Sequence, residues 1–441
     1  LDAFEYVKVQ DLAYENIKVY DPVGWAAGNY ASTPVPKNAR IALPQFFDGN
    51  GNPLYNTDWL KESTQNKLSQ NHQLGFSGGN ENSTYGIFAG YRNDEGLLKN
   101  SFLKRYSARF NFDSKIKSWL KVGGNLSYNN QQENIVDQGT GGLNSVRMIT
   151  EAFPFLPIKL PDGRWGDNKL IPWAEGGSNP VHILTDQKYG VITQTALGSL
   201  YSTISLTKDL EFRTQLGANV VSRNINEYNA KLLYGISDGQ NGTANITDDR
   251  ETFWSLENYL TYNKRFGESH ALNALLGFSW QETNFFSNTS HAENFVTDFY
   301  GTNNLGSGSK SITVGSSRNR SAFNSYFGRI NYAFKDKYLA TVTGRVDGSS
   351  KFGENHKFAF FPSAALAWKV SEENFLKGNK TISNLKLRTS YGLSGNSELP
   401  AYQSLATHVN NSAIINDTRV TGIVIGRLAK PDLLWEKTAQ Y

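Results

Sequence analysis

The sequence predicts an all-β protein built as a transmembrane, antiparallel, up-and-down β-barrel. Three observations lead to this fold class. Apolar and polar residues alternate with a period of two in one segment after another, which separates them onto opposite faces of a strand. The connections between these segments alternate between short and long, as they do in outer-membrane barrels. Aromatic residues make up 13% of the chain, and many of them lie near predicted strand ends, where a membrane interface would be.

The alternation is clearest in the segment RYSARFNFD, which begins at Arg105. Its apolar side chains fall on one face and its charged and amide side chains on the other, whereas a helix would distribute them around its axis. Twelve segments of this kind are predicted as strands. They cover 71–78, 83–91, 105–114, 118–131, 193–206, 210–221, 253–264, 270–283, 320–334, 338–347, 358–370 and 384–394. A thirteenth strand is predicted to begin near Asp432 and to continue to Tyr441.

The chain is predicted to divide into two parts. Residues 1–70 precede the first clear strand, contain a short helix, and are expected to form an extracellular loop region. Residues 71–441 are expected to form a partial barrel with short turns at one end and long loops at the other. The long loops are expected near 132–192, 222–252, 284–318 and 395–431.

Length and composition narrow the class of protein. The chain has 441 residues, a net charge of +4, no cysteine and one methionine, Met148. Its mean hydropathy is −0.48, and its sequence has no run of the ~20 apolar residues that a membrane helix needs. A helical membrane protein is therefore excluded. A nearly neutral chain does not favour nucleic acid as a partner, and the lack of cysteine excludes disulfides and thiolate metal sites.

No catalytic motif emerges from the sequence. The histidines form neither HxH nor HExxH, and neither a P-loop nor a GxSxG elbow is present. The run that starts at Asp48 begins like a calcium-binding loop. However, Pro53 and Trp59 stand where an EF-hand needs glycine and glutamate, so an Asx-rich turn is the better interpretation. We therefore expect no enzyme activity, no bound metal and no cofactor.

Two sets of side chains are candidates for contact with a transported molecule. Tryptophans in the loops could stack on sugars, although large aromatic rings also hold loops together by packing. These are Trp25, Trp59, Trp165 and Trp173. Basic residues on the polar strand faces could line a lumen. They could also pair with carboxylates such as Asp113, Glu211 and Asp347 on neighbouring strands, or with an internal plug, and such structural pairing is favoured over substrate contact. These basic residues are Arg105, Arg109, Lys121, Arg213, Arg329, Arg345 and Arg388.

Several long segments of the chain resemble a single family. NPLYNTDWLKE followed by NHQLGFSGGNENSTYGIFAGYRNDEGLLKNS is similar to the start of the barrel in SusC/RagA-family TonB-linked outer-membrane transporters. The segments RVDGSS and FPSAALAW are typical of the same family, and LKLRTSYGLSGN and LLWEKTAQY resemble its late strands. The resemblance extends from about Asp58 to the end of the chain.

The resemblance implies a 22-stranded barrel with an N-terminal plug, of which this chain would supply about 12–13 strands. It also implies TonB-dependent import of a large nutrient across the cell outer membrane, most often an oligosaccharide and sometimes a peptide. The implied partners are a SusD-like surface lipoprotein, the TonB complex through an N-terminal region, and outer-membrane lipid. Because the sequence begins at Leu1 and shows neither a TonB box nor a plug, we expect an internal fragment without the plug and the C-terminal strands.

Two other classes of protein remain open. A passive porin would let solutes diffuse without energy and would have neither plug nor TonB box. A soluble β-rich carbohydrate-binding or adhesin protein would show similar alternation, but its apolar strand faces would have to pack against each other.

Overall fold

The structure, a computed structural model, describes residues 1–30, 35–136, 145–174, 179–378 and 380–441. Within these ranges the α-helices are α1 Ala3–Tyr20, α2 Pro22–Ala26, α3 Lys37–Ile41, α4 Trp59–Ser63, α5 Ser145–Glu151 and α6 Pro180–Asp186. The strands are β1 Gln70–Gly79, β2 Ser83–Glu95, β3 Phe102–Lys117, β4 Leu120–Asn134, β5 Gln187–Ser205, β6 Leu210–Asn229, β7 Thr243–Phe266, β8 His270–Phe295, β9 Gly308–Phe334, β10 Tyr338–Ser349, β11 Phe358–Lys369, β12 Lys386–Asn396, β13 Thr407–Ile415, β14 Thr418–Arg427 and β15 Glu436–Gln440.

Thirteen of the strands form one antiparallel sheet in the order β1 to β12 followed by β15. From β1 to β12 each strand pairs with the next in sequence, and β12 then pairs with β15, which gives an up-and-down meander. Strands β13 and β14 form a separate hairpin within the connection from β12 to β15. The sheet is open, with β1 and β15 as its edges in the described part of the chain. The predicted fold class, a partial antiparallel outer-membrane sheet, is confirmed.

The strand register gives the sheet two chemically different faces. Phe110 pairs with Leu126 and Leu216 pairs with Leu256 on the face that we call the outer face. Leu126 and Leu216 remain exposed because no other part of the described chain covers them. An uncovered apolar face of this kind is suited to lipid hydrocarbon. The opposite surface, which we call the inner face, carries the polar and charged residues of the same strands.

Aromatic side chains border the apolar part of the outer face. At the end with the short turns, one register row contains Phe266, His270, Phe334, Tyr338 and Trp368. In this row the rings of Tyr338 and Trp368 stack with their centroids 6.5 Å apart. Trp254 and Trp280 lie on the same face nearer the other end of β7 and β8. Aromatic residues at both borders are typical of the girdles of outer-membrane barrels.

Strands β6 to β9 are longer than the sequence predicted. Strands β7, β8 and β9 have 24, 26 and 27 residues, whereas crossing a membrane takes only ~9–11. The long loops predicted near 222–252 and 284–318 are therefore wrong in extent, because the connections shorten to 230–242 and 296–307. The predicted loop near 395–431 contains the β13–β14 hairpin. The loop predicted near 132–192 contains α5 and α6, and its residues 137–144 and 175–178 lie outside the described ranges.

Residues 1–70 pack together with the connection between β4 and β5. Helix α1 begins with a capping box, in which Asp2 accepts from the Glu5 backbone and Glu5 accepts from the Asp2 backbone. Its buried face joins a core cluster shared by both segments, composed of Ala3, Val7, Phe46, Phe47, Trp59, Phe155, Leu156, Leu160 and Ile171. We call this globular part the loop unit. No helix in the described ranges is both long enough and apolar enough to cross a bilayer.

Candidate functional site: the inner face of the sheet

The seven basic residues predicted to line a lumen all lie on the inner face. The register shows this directly, because cross-strand partners share a face. Thr203 on β5 pairs with both Lys121 and Arg213, and Phe327 on β9 pairs with Arg345. Arg105 and Arg109 lie on alternate residues of β3, opposite Gln131 and Ser127. Arg329 and Arg388 have the same orientation on β9 and β12. The position of these seven residues was thus predictable from period-two alternation alone.

A continuous row of polar residues crosses the inner face from β3 to β10. We call it the inner band, and its members in register order are Asp113, Gly123, Tyr201, Gln215, Glu257, Ser279, Ser325 and Asp347. At the β3 end the Tyr201 hydroxyl donates to the Asp113 carboxylate. The Arg213 guanidinium lies 3.9 Å from the centroid of the Tyr201 ring and donates to Gln215 Oε1 at 3.0 Å. These contacts connect side chains of three strands, β3, β5 and β6, across the glycine of β4.

The same pattern continues toward β10. The Tyr259 hydroxyl donates to Glu257, and the Tyr259 and Phe327 rings lie 6.0 Å apart. The Arg345 guanidinium lies 5.1 Å from the Phe327 centroid and donates from Nε to Asp347 Oδ1 at 2.6 Å. Asp347 is only 7% exposed, whereas the Arg345 side chain is 40% exposed. The pair therefore gives the largely buried Asp347 carboxylate a partner while the guanidinium stays partly in water.

Glycines allow the inward aromatic rings to lie flat against the sheet. A Cβ at Gly277 would collide with the ring of Phe327, and one at Gly123 would collide with Tyr201. Phe88 covers Gly75 and Gly86 in the same way. Phe88 and Phe327 are thus apolar residues on the polar face that alternation alone does not explain. Tyr201, Tyr259, Phe327 and Glu257 were missed as site residues. The signal that could have found them is an inward aromatic residue opposite a glycine on the neighbouring strand.

The predicted pairing of basic residues with carboxylates holds for Arg345 but not for most of the set. Asp113 accepts from Tyr201, and Glu211 accepts from Ser205 at 3.3 Å. Five of the basic residues form no ion pair or side-chain hydrogen bond with the described residues: Arg105, Arg109, Lys121, Arg329 and Arg388. The inner face therefore combines a rigid, internally satisfied band with cationic side chains that are free to meet another surface.

The structure does not bring the four predicted tryptophans into one site. Trp59 is 4% exposed and donates from Nε1 to the Phe153 carbonyl at 2.9 Å. Trp173 packs against the same core cluster. Trp165 stacks on His182 with centroids 4.4 Å apart. Trp25 is half-buried and meets the Tyr14 ring edge-on at 4.4 Å. All four rings thus make packing contacts, and the buried position of Trp59 prevents substrate contact in this conformation.

A buried histidine lies behind Trp165 in the loop unit. His182 is fully buried, and its Nδ1 lies 3.0 Å from Asp167 Oδ2 while its Nε2 lies 3.3 Å from Asp186 Oδ2. Asn179 caps α6 by accepting from the His182 backbone at 2.7 Å. Burial by itself lowers the pKa of His182. The hydrogen bonds and charges of Asp167 and Asp186 outweigh it, so that the pKa is raised above its ordinary value.

The Asp48 turn is a closed local structure. Asp48 Oδ1 accepts from the backbone N–H groups of Asn50 and Asn52, each at 2.8 Å. The hydrogen bond from Asn52 lowers the pKa of Asp48. The predicted Asx-rich turn is therefore the structure that forms. Among the described residues, no three His, Asp or Glu side chains are grouped as metal ligands would be.

Together the uncovered apolar outer face, the aromatic borders and the polar inner face define the wall of an outer-membrane β-barrel. Relatives identify the type of barrel. TonB-dependent receptor P3 of Formosa agariphila is 35% identical over 391 residues, which cover 87% of this chain and 38% of that protein. TonB-dependent receptor SusC of Bacteroides thetaiotaomicron is 27% identical over 359 residues, or 77% of this chain and 35% of that protein.

A solved structure agrees with these relatives. The RagAB peptide transporter superposes with a TM-score of 0.74 at 22% identity, over 91% of this chain and 46% of that chain. No protein-family model matches the chain. The chain spans less than half the length of each of these three proteins. The resemblance to SusC/RagA-type TonB-linked transporters is confirmed, and the chain has the fold of their outer-membrane barrel.

Proposed function

We propose that the chain forms part of the barrel wall of a TonB-dependent importer, which carries a large nutrient across the outer membrane. The observation that carries this proposal is the division of the inner face into two kinds of surface. Side-chain contacts within the inner band join β3, β5 and β6 at one end and β7, β9 and β10 at the other, and they reinforce the backbone pairing of the wall. The five unpaired basic residues remain available to the carboxylates, carbonyls and hydroxyls of a plug or a passing substrate.

The mechanism that this arrangement supports consists of binding and passage, without bond formation. A plug that moves under force from the TonB complex needs a wall that does not move with it. The ion pair between Arg345 and Asp347 and the aromatic contacts of Tyr259 and Phe327 provide such a wall. Exposed side chains such as Arg109 and Arg329 can exchange one anionic or polar partner for another. Exchange of this kind lets a surface hold a mobile domain without trapping it.

An oligosaccharide is the proposed substrate, and a peptide is the second candidate. Rings such as Tyr201, Tyr259 and Phe327, interspersed with carboxylates and hydroxyls, match the mixed apolar and polar surface of sugars. Trp25, Trp165 and Trp173 are half-buried on the loop unit, and their exposed parts are the proposed first contacts. The peptide alternative has support from the RagAB structure, whose title names peptide transport for that protein.

The proposed partners are a SusD-like surface lipoprotein, outer-membrane lipid and the TonB complex. The loop unit and the long ends of β6 to β9 lie on the same side of the sheet, opposite the short turns. They present a broad surface at the end where substrate would enter. A lid placed over this surface would enclose substrate between itself and the inner face.

An uptake experiment tests this function against a passive porin. Cells carrying the native gene are given fluorescent oligosaccharides and, separately, peptides of equal size, with and without an inactivated TonB. We expect uptake of one substrate class to be lost both when the gene is deleted and when TonB is inactivated. Uptake that needs the gene but persists without TonB would identify a porin and contradict our proposal.

A further inference from the structure

Three arginines form a basic cluster on the outer face, beyond the aromatic border made by Trp254 and Trp280. Arg250, Phe286 and Arg318 lie side by side in one register row across β7, β8 and β9. Arg320 is on the same face of β9, two residues closer to that border. All three arginines are exposed. None of the predicted lumen residues belongs to this cluster, because it is on the opposite side of the sheet.

The cluster lies at the height of the lipid headgroups. Twelve residues separate Phe266 in the first aromatic row from Trp254 along β7. At ~3.3 Å per residue and a tilt of about 40°, this corresponds to a rise of about 30 Å. The apolar band of an outer-membrane barrel is ~25 Å tall. Arg250 follows four residues later, about 10 Å further out by the same arithmetic, which places it among headgroups rather than acyl chains.

Two of the three arginines have no counter-charge within the described residues. Arg320 pairs with Glu282 at 2.6 Å, and that carboxylate is largely buried. Arg250 forms neither an ion pair nor a side-chain hydrogen bond there, and the one recorded side-chain contact of Arg318 is with the ring of Phe286 at 5.3 Å. Asp248 is the nearest outward carboxylate along β7, and it accepts from Asn224 at 2.6 Å. The row therefore presents two uncompensated guanidinium groups on either side of an aromatic ring.

We propose that Arg250 and Arg318 bind a phosphate group of an outer-leaflet glycolipid, namely the phosphorylated headgroup of lipid A. Their strands are separated by one strand, which places their Cα atoms about 10 Å apart, so the two long side chains can reach one headgroup. A guanidinium forms strong, paired hydrogen bonds with phosphate. The acyl chains of the same lipid would lie along Trp254, Trp280 and the leucines below them. This inference depends on the outer-membrane position of the sheet and not on the import activity.

The test measures lipid A binding to the native gene product, purified from outer membranes and kept in detergent micelles. Bound lipid A is counted by native mass spectrometry during a titration. The double substitution Arg250→Gln and Arg318→Gln removes both free guanidinium groups, and we expect binding to weaken about 30-fold, since each basic residue near a charged membrane surface contributes ~1 kcal/mol. Arg223→Gln is the matched control, because Arg223 lies on the inner face at nearly the same height.

Two further probes separate the possible sources of phosphate. Dephosphorylated lipid A should bind the unmodified protein as weakly as lipid A binds the double variant, and inorganic phosphate should not compete with lipid A at equal concentration. Equal affinity of the double variant and the unmodified protein would overturn the proposal, and so would efficient competition by inorganic phosphate. If the unmodified protein binds lipid A but supports no TonB-dependent uptake, the import function is contradicted and the lipid site is not.

Discussion

At the scale of single residues, a buried histidine of the loop unit lies between two carboxylates. His182 sits between Asp167 and Asp186, under the ring of Trp165. Its folded pKa is raised above the unfolded value of ~6.5. The stabilisation is therefore fully present below the unfolded pKa and is lost as the pH rises through the folded pKa. The loop unit should be held most firmly in mildly acidic surroundings.

The loss of stability with rising pH leads to a prediction for the connection between β4 and β5. Protease cleavage within 135–186 should become faster as the pH rises from 6 to 8.5, because deprotonation of His182 removes the positive charge that lies between Asp167 and Asp186. His182→Gln should remove most of that pH dependence and destabilise the loop unit by about 1–3 kcal/mol. His408→Gln, at an exposed position on β13, is the control. Unchanged pH dependence in His182→Gln would show that another group controls the loop.

At the scale of strands and helices, the sequence predicts the strands whose two faces meet lipid and water, and it predicts few of the other elements. Where one face meets lipid and the other meets water, apolar and polar residues must alternate, and the strands from β1 to β5 follow this rule. In the halves of β7 and β8 beyond Trp254 and Trp280, neither face meets lipid hydrocarbon. Segments such as 243–252 therefore lose the alternation and were interpreted as loops. The candidate basic residues share the inner face because the alternation extends through their segments, and their contact with a transported molecule stays a prediction.

The β13–β14 hairpin was missed for a related reason, although a local signal was present. Its two faces carry a mixture of apolar and polar residues, so no periodicity stands out. Asn416 and Asp417 at its tip both have positive φ angles, 48° and 56°. This backbone matches the type I′ turn that favours Asn and Asp in two-residue hairpins. Of the loop unit only a short helix in residues 1–70 was predictable. Its packing was not, because its core joins residues about a hundred positions apart, such as Trp59 and Phe155.

The glycine beneath Phe327 provides a test of the inner band as an element. Gly277→Ala places a methyl group where the Phe327 ring lies, so the ring must move away from Tyr259 and Arg345. We expect a loss of about 1–3 kcal/mol, as for other overpacked positions, measured as a lower temperature of unfolding on heat-modifiable gels. Gly190→Ala is the control, since a methyl group there meets its nearest neighbour at 3.9 Å. Equal effects of both substitutions would show that the ring contacts add nothing to the stability of the wall.

At the scale of the whole molecule, the three surfaces imply a single orientation in the membrane. The short turns, such as that at 206–209, lie at one end of the sheet. The loop unit, the long halves of β6 to β9 and the proposed lipid site lie at the other end. If substrate enters past the loop unit, this second end faces the outside of the cell. The unpaired basic side chains of the inner face then lie along the path between the two ends.

The 441 residues contain no cysteine, so single cysteines introduced into them can report this orientation. Single cysteines are introduced as Ser316→Cys on the outer half of β9, Ile330→Cys on the apolar outer face, and Lys208→Cys in a short turn. A membrane-impermeant maleimide on intact cells should label Ser316→Cys strongly, because that position is exposed beyond the aromatic border. Lys208→Cys should react only after the outer membrane is permeabilised, and Ile330→Cys should resist the reagent in both cases because lipid covers it. Labelling of Lys208→Cys on intact cells would show that the sheet has the opposite orientation. The loop unit would then not face the outside of the cell, and the proposed lipid site would not lie in the outer leaflet.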